Sequence, residues 1–368
     1  MQARKTAEAL VSIGVEVEHI LYRGEAEPAD GSSVPLSTVS TTFDVWHFLP
    51  GRPVPKDLYE LRTRCKLPLL VCSPVYWDSL LHRQVIANNG KLGLRAGPLS
   101  YRVQNLLKAV VNRPLKTLPY DVYLPNSQAE ITVLLRDYRL PRRALVAAVP
   151  NATDPVFDIA LDLPTRKRHY LLCPGVFAPR KNQLGLIEAL RSFGHPVVFL
   201  GGPLPTSECH RYFAKCKERA PAGWTFLGSV PHPSAAFYDA MSCARVACLA
   251  SSCETPGIAL LEAAALGARP AVTREGSAAE YFGFEAEYFN PLDQDDLLRS
   301  VLRAWERGPL PAGAAAVARR FTWEATAQTT LLLYQDAQRR LGSERNTNDL
   351  KDIFPQESVV SYSGLSQR

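Results

Sequence analysis

The chain has 368 residues, 46% hydrophobic and 21% charged, with 42 Lys and Arg against 36 Asp and Glu; at ~100–200 residues per domain this length suits two domains with ample cores. The net charge of +6 falls wholly in residues 1–150, which hold 19 basic and 13 acidic residues, while residues 151–368 hold 23 of each. That distribution excludes a uniformly basic nucleic-acid binder and predicts one basic face on the first domain.

Residues 2–13 place Ala7, Leu10 and Val11 at helical spacing, and the VEVEHI stretch after Gly14 reads as extended. Short strands are expected at 44–49 and 67–72, helical patterns through 79–112, a strand at 121–124, a helix at 128–138 and a strand at 144–149. Strands separated by helices argue for a parallel sheet with crossover helices. Residues 154–167 carry charge and proline without period and read as a linker. The alternation then restarts, with strands at 169–175, 196–202, 224–230, 245–251 and 270–273 and helices at 183–193, 207–219, 234–243 and 256–266. A helix over 322–341 closes the ordered region, with Gly342 as its stop, and the polar tail 342–368 reads as disordered. The fold class is α/β, two Rossmann-like parallel-sheet units in series. The expected divisions are 1–153, the linker 154–167, 168–320, the terminal helix 321–341 and the tail.

No apolar run reaches the ~18–20 residues of a spanning helix; Ile258 to Val272 is broken by Glu262 and Arg269. The charged start MQARKTAEAL lacks the apolar core of a signal peptide, so a cytoplasmic location is expected. The eight cysteines include no CxxC pair and no zinc-like spacing, and read as small buried hydrophobes in a reducing compartment. No GxGxxG occurs, which argues against a nicotinamide or flavin enzyme.

The sharpest local signal runs from Cys253 to Gly267. Thr255 suits an N-cap, Pro256 a first helical position and Gly267 a C-terminal stop. Glu262 is the only charged residue among Ile, Ala and Leu in that helix, so its carboxylate must meet either a ligand or an internal Arg. Glu254 precedes the helix, beside amides that leave a positive end; it either accepts ligand hydroxyls or helps to cap. The second signal is Gly175 to Gln183, where Arg180 and Lys181 occupy a strand-to-helix turn suited to an anion. Both motifs follow strands of one domain, where open α/β sheets bind ligands.

The stretch from Arg180-Lys181-Asn182-Gln183 through Phe226-Leu227-Gly228 to Glu254 and Glu262 resembles the donor-binding domain of retaining glycosyltransferases of family 4, the GT-B "glycosyl transferases group 1". Glu254 and Glu262 match its E-x7-E element, and Pro125-Asn126-Ser127 and Val149-Pro150-Asn151 look like its segments before the linker. The resemblance covers roughly residues 1–340 and is specific in 169–275; the 321–341 helix looks like the family's terminal helix, which returns to the first domain. It implies that Glu254 binds hydroxyls of the transferred sugar and Glu262 the nucleotide ribose. Lys181, with Arg180 as a weaker candidate, would contact the diphosphate. The Gly257 and Ile258 amides would meet sugar or phosphate, and Gly228, Ser229 and Val230 the base. It also implies a nucleotide sugar as substrate, no cofactor and no bound metal, with the leaving group stabilised electrostatically.

Three positions depart from that pattern. Val176 stands where the family often has Arg. Ser73-Pro74-Val75-Tyr76-Trp77-Asp78 replaces a segment that often offers His; Tyr76 and Trp77 would either stack on an acceptor sugar or form a buried pair. His47 reads as a satisfied structural histidine. Met1 stands where a first strand and glycine-rich loop should lead into the helix, so the upstream frame is expected to encode that strand. Between Asp78 and Asp121 no acidic residue occurs, and Arg83, Lys91, Arg95, Arg102, Lys108, Arg113 and Lys116 fall there. This basic stretch, 83–116, is either a solvated helical face or a contact for an anionic membrane surface or a glycan or lipid-linked acceptor. The expected function is retaining sugar transfer from a nucleotide sugar in cell-envelope glycan synthesis. Its rivals are a catalytically weak or inactive GT-B protein and a peripheral membrane scaffold.

Overall fold

The structure, a computed structural model, describes residues 2–18, 36–39, 41–49, 57–73, 80–89, 118–154, 168–311 and 320–345. Its first sheet contains β1 (Val45–Phe48), β2 (Leu69–Cys72), β3 (Val122–Tyr123) and β4 (Leu145–Val146), parallel and in sequence order. Every residue of β2 is buried, as befits the unbroken LLVC run of a strand covered on both faces. Around it lie α1 (Gln2–Ser12), α2 (Leu58–Arg64), α3 (Leu80–Asn89) and α4 (Gln128–Asp137). Ser127 caps α4 by accepting from the Glu130 amide, and Glu130 Oε2 accepts from the Asn126 amide at 2.5 Å.

The second sheet holds β5 (Tyr170–Pro174), β6 (Val197–Leu200), β7 (Thr225–Gly228), β8 (Ala244–Leu249), β9 (Arg269–Thr273) and β10 (Glu287–Phe289). All are parallel, in the order β10-β9-β8-β5-β6-β7. Its crossovers are α5 (Gln183–Ala189), α6 (Ser207–Arg219), α7 (Ala235–Ser242), α8 (Ile258–Ala265) and α9 (Ala278–Phe282), and α10 (Gln294–Arg307) follows the last strand. The strand alternation divides the core in two. Leu172, Ala247, Leu249 and Val272 pack with α7 and α8, whereas Leu171, Cys173, Val246 and Cys248 pack with α5 and α10.

The last helix, α11 (Trp323–Arg345), returns to the first sheet. Its Trp323, Ala327, Tyr334 and Ala337 join Leu69, Val71 and Val122 and the α1 residues Ala9 and Leu10 in one core. His47 on β1 is satisfied from two sides, by the Tyr334 hydroxyl at Nδ1 (2.5 Å) and Ser73 Oγ at Nε2 (2.7 Å). Burial pushes its pKa down to about 3, so the ring is neutral.

Several boundaries differ from the sequence expectation. Gly342 does not stop the last helix, which continues to Arg345; a glycine in helical conformation weakens a helix, and it terminates one only where a left-handed turn is formed. α5 ends at Ala189 rather than 193. Thr255 is not the cap of α8 and Pro256 is not its first residue, because Gly257, at φ +87°, turns the chain and the helix begins at Ile258. The structure adds α9, β10 and α10, for which the sequence pattern gives no expectation. Cys72, Cys173, Cys209, Cys216 and Cys248 are buried, whereas Cys65 is exposed. No described helix is long and apolar enough to cross a membrane.

Candidate functional site

The second sheet reverses its winding at β5, with β6 and β7 on one side and β8 to β10 on the other. Loops leaving the carboxyl ends of β5 and β8 therefore diverge, which opens the crevice where open α/β sheets bind ligands. The two sequence motifs are these two loops.

After β5 the chain passes Gly175 and Val176, forms a 3-10 turn at Pro179–Lys181, and enters α5 through Asn182 in the left-handed region (φ 56°). Asn182 tolerates that conformation because its side chain is fully engaged. Its Oδ1 accepts from Asn89 Nδ2 at 2.8 Å, and its Nδ2 donates to the Pro291 carbonyl at 2.9 Å. Asn89 Nδ2 also reaches the Pro179 carbonyl at 3.1 Å, so the end of α3 in the first domain braces the turn that carries Lys181. After β8 the loop runs through Ser251 and Glu254 to Gly257. The Ser252 amide donates to the Arg180 carbonyl at 2.9 Å, joining the two loops.

Glu254 is 5% exposed. Its Oε1 accepts from Lys181 Nζ at 2.6 Å and from the Ser251 hydroxyl. Gly257 is required twice over: φ is +87°, and a Cβ would stand 3.0 Å from Glu254 Oε2 and 2.8 Å from Leu249 Cδ1. The Glu254 main chain is held from the other side, its amide donating to the Glu275 carbonyl at 3.1 Å and its carbonyl accepting from the Ser277 amide at 2.9 Å. Burial pushes the neighbouring Cys253 thiol well up, aided by Glu254, so this cysteine is no nucleophile.

Glu262 lies one turn into α8 and is 2% exposed. The sequence left it to a ligand or an internal Arg; its partner is His232, whose Nε2 lies 2.7 Å from Oε1. That hydrogen bond raises the histidine pKa, against burial and with help from the charges of Glu262 and Asp154. Sequence reasoning missed His232. Its signal was there, a lone histidine between Pro231 and Pro233 just after the Gly228-Ser229-Val230 segment.

That segment begins at the last residue of β7, beside Gly201 and Gly202, which follow β6. The Gly201 amide donates to the Gly228 carbonyl at 2.8 Å, and a Cβ on Gly202 would meet Ser229 Oγ. Gly228 turns at φ +72°, Ser229 is exposed, and Val230 packs on the apolar core. Arg180 is exposed, and its guanidinium has no hydrogen bond or ion pair among the described residues. Val176 is 36% exposed beside that turn. Thus Lys181, Glu254, Gly257 and Ile258 come together at the crevice, with Arg180 at its edge and Glu262 deeper along α8. Tyr76 and Trp77 lie outside the described residues, as do six of the seven cations of the basic stretch; Arg83 falls on α3.

The domains touch through α9. Glu280 accepts from the Gln128 and Ala129 amides at 2.9 and 2.8 Å, and the Tyr281 hydroxyl donates to the Asn126 carbonyl and accepts from the Asn151 amide. Beneath this contact Glu130 is 2% exposed, and burial raises its pKa to about 8 despite the Asn126 amide. Among the described residues no group of three His, Cys, Asp or Glu side chains could hold a metal ion.

Residues 162–320 match the family model "Glycosyl transferases group 1". Among solved structures, the chain is similar to sucrose-phosphate synthase from Thermosynechococcus elongatus (TM-score 0.59, 18% identity, covering 93% of each chain). It is similar also to a glycosyltransferase from Rickettsia africae ESF-5 (TM-score 0.55, 14% identity, covering 80% of this chain and 76% of that one). A third is HepE of Anabaena, solved in complex with UDP and glucose (TM-score 0.51, 18% identity, covering 80% and 78%). At these identities the likeness is one of fold. A search among curated proteins gives no match.

Proposed function

We propose that the chain is a glycosyltransferase of the group 1, GT-B type, that moves a sugar with retention from a nucleoside diphosphate donor to an acceptor held over the first domain. The observation that carries this reading is the Lys181–Glu254 pair at the switch point of the second sheet, with Glu262 on α8, the helix that follows Glu254. HepE, solved with UDP and glucose, supports a nucleotide sugar as donor.

In this reading the diphosphate lies against Lys181, the exposed Arg180 and the Gly257 and Ile258 amides at the start of α8. When the anomeric carbon–oxygen bond breaks, its electron pair goes to the phosphate oxygen, and these fixed positive groups receive the charge without a metal. Arg180 supplies the second cation that Val176 cannot. The Glu254 carboxylate, held at Oε1 by Lys181 and Ser251, keeps Oε2 for hydroxyls of the transferred sugar. Glu262 takes the ribose, and Gly228, Ser229 and Val230 border the base. The acceptor is a glycan or a lipid-linked sugar, approached through the first domain.

The test is release of nucleoside diphosphate from UDP-, GDP- and ADP-sugars. At least one donor is expected to turn over, and Lys181→Ala or Glu254→Ala to lower the rate by ~10²–10³. Release that survives Glu254→Ala removes the role given to that carboxylate.

A further inference from the structure

The loop from β7 to α7 does more than border a base. It brings the His232 ring to Glu262, whose side chain is 3% exposed and has no other hydrogen-bond partner among the described residues. The ring is itself held in place. It packs edge-on against Phe237 at 4.5 Å and tilts over Tyr238 at 6.5 Å, and the rings of Pro231 and Pro233 restrict the backbone on either side. A carboxylate on an otherwise apolar helix can rotate about its last bond. One bonded to a pinned imidazole cannot, and it offers its second oxygen in one direction.

We propose that His232 is the positioning residue of the nucleotide site: by fixing Oε1 of Glu262 it presents Oε2 to the vicinal hydroxyls of the donor ribose. The inference rests on the reading of Glu262 as the ribose acceptor, and adds the group that sets its geometry and charge. The charged groups facing the ring are Glu262 on α8, Asp154 after the first domain, and Lys5 on α1, which pairs with Asp154 at 2.8 Å. The two carboxylates favour the imidazolium and Lys5 opposes it, as burial does; the hydrogen bond to Glu262 dominates and raises the pKa. Charge-assisted, that bond is about twice as strong as its neutral counterpart. Grip on the ribose therefore weakens as pH rises through the His232 titration.

The experiment titrates UDP, GDP and ADP into the full chain and its variants by calorimetry from pH 6 to 9, with donor kinetics beside it. For whichever diphosphate binds, His232→Ala is expected to raise Kd and donor KM about tenfold with kcat little changed, the effect of losing a hydrogen bond to a charged group. His232→Gln keeps a donor toward Oε1 and is expected to bind near normally at pH 7. It should lack the extra weakening at high pH that the wild type shows beyond the diphosphate's own titration. If His232→Ala fails to fold, the comparison of His232→Gln with wild type still decides. Unchanged affinity in His232→Ala, or parallel pH profiles in wild type and His232→Gln, overturns the proposal while a loss of binding in Glu262→Ala leaves the ribose reading standing. Binding unaffected by Glu262→Ala, or no binding of any of the three diphosphates, overturns the ribose reading and this proposal with it.

Discussion

Replacing Lys181 by Met is the sharpest probe of the site, because it separates the stability of the crevice from its chemistry. Lys181 and Glu254 are 15% and 5% exposed and meet at 2.6 Å, a separation at which two unit charges attract by ~6 kcal/mol at an effective dielectric of about 20. Desolvation of both ions cancels much of that attraction. Removing one partner leaves the other buried without a counter-charge, which costs about 3–5 kcal/mol. The Ser251 hydroxyl still donates to Glu254 Oε1 in the variant, so the lower end, about 3 kcal/mol, applies. For a domain of this size that lowers Tm by roughly 6–12 °C. Adding Glu254→Gln should restore part of the lost stability, since it removes the unpaired charge. Thermal unfolding of wild type, Lys181→Met and the double variant is the assay, with diphosphate release read on the same samples. On the proposed reading the rate should fall by ~10²–10³, because the leaving group loses its cation. A Lys181→Met protein that unfolds with wild type, or one that Glu254→Gln does not rescue, would show that the pair is not buried as described and sink the argument.

Three further outcomes follow from single contacts. Gly257→Ala should cost about 1–3 kcal/mol of stability in chemical denaturation and most of the activity, since the residue is left-handed and its Cβ presses on the Glu254 carboxylate; a fully active, stable variant would contradict the tight turn. Burial raises the Glu130 carboxyl from 4.5 to about 8, the Asn126 amide opposing. The native state therefore binds more protons than the unfolded chain in that window, and stability falls as pH rises through it. Glu130→Gln should flatten stability between pH 5 and 8, which denaturant midpoints would reveal; an unchanged slope assigns the dependence elsewhere. Tyr334→Phe leaves the His47 Nδ1 without its hydroxyl partner. It should lower stability by about 1–2 kcal/mol with little change in donor KM, whereas a selective KM change would place His47 in the donor site.

What the sequence made legible follows from the range of the forces involved. Strand and helix periodicity is local, so β2, β5, β8 and the helix at 207–219 are recoverable from their own residues. Glu262 stands out for the same reason, as a lone charge in IALLEAAA. Its partner could not be read, because His232 lies 30 residues away and only the three-dimensional course of the β7–α7 loop brings it close. Asn89 is hidden more deeply. Nothing in LLHRQVIANN marks a residue that braces a turn in the other domain, 93 positions on. The start of α8 departs from its local signal for a subtler cause. Thr255 and Pro256 carry genuine N-terminal preferences, but Gly257 turns left-handed against Leu249 and Glu254, and that packing requirement outweighs the local propensity.

The arrangement of the two carboxylates has a consequence for how the site can vary. α8 is apolar on nearly every face, with Leu260, Leu261, Ala263 and Ala264 fully enclosed, so it lies in the core and cannot shift to suit a ligand. Glu262 is thereby held in place, and Glu254 is fixed beside the start of that helix by its main-chain bonds to Glu275 and Ser277. Their partners come instead from separate loops, Lys181 after β5 and His232 after β7, on strands parted by β6. Lys181 is further tied, through its turn, to the first domain by Asn89, whereas His232 is held within the second domain by Phe237 and Tyr238. A movement of the first domain would consequently act on the Lys181–Glu254 end through Asn89, and on the His232–Glu262 end only through the charges of Lys5 and Asp154. On the proposed reading, grip on the nucleoside can then persist while the charge that receives the leaving group is adjusted, the separation of ground-state binding from transition-state stabilisation that a transferase needs.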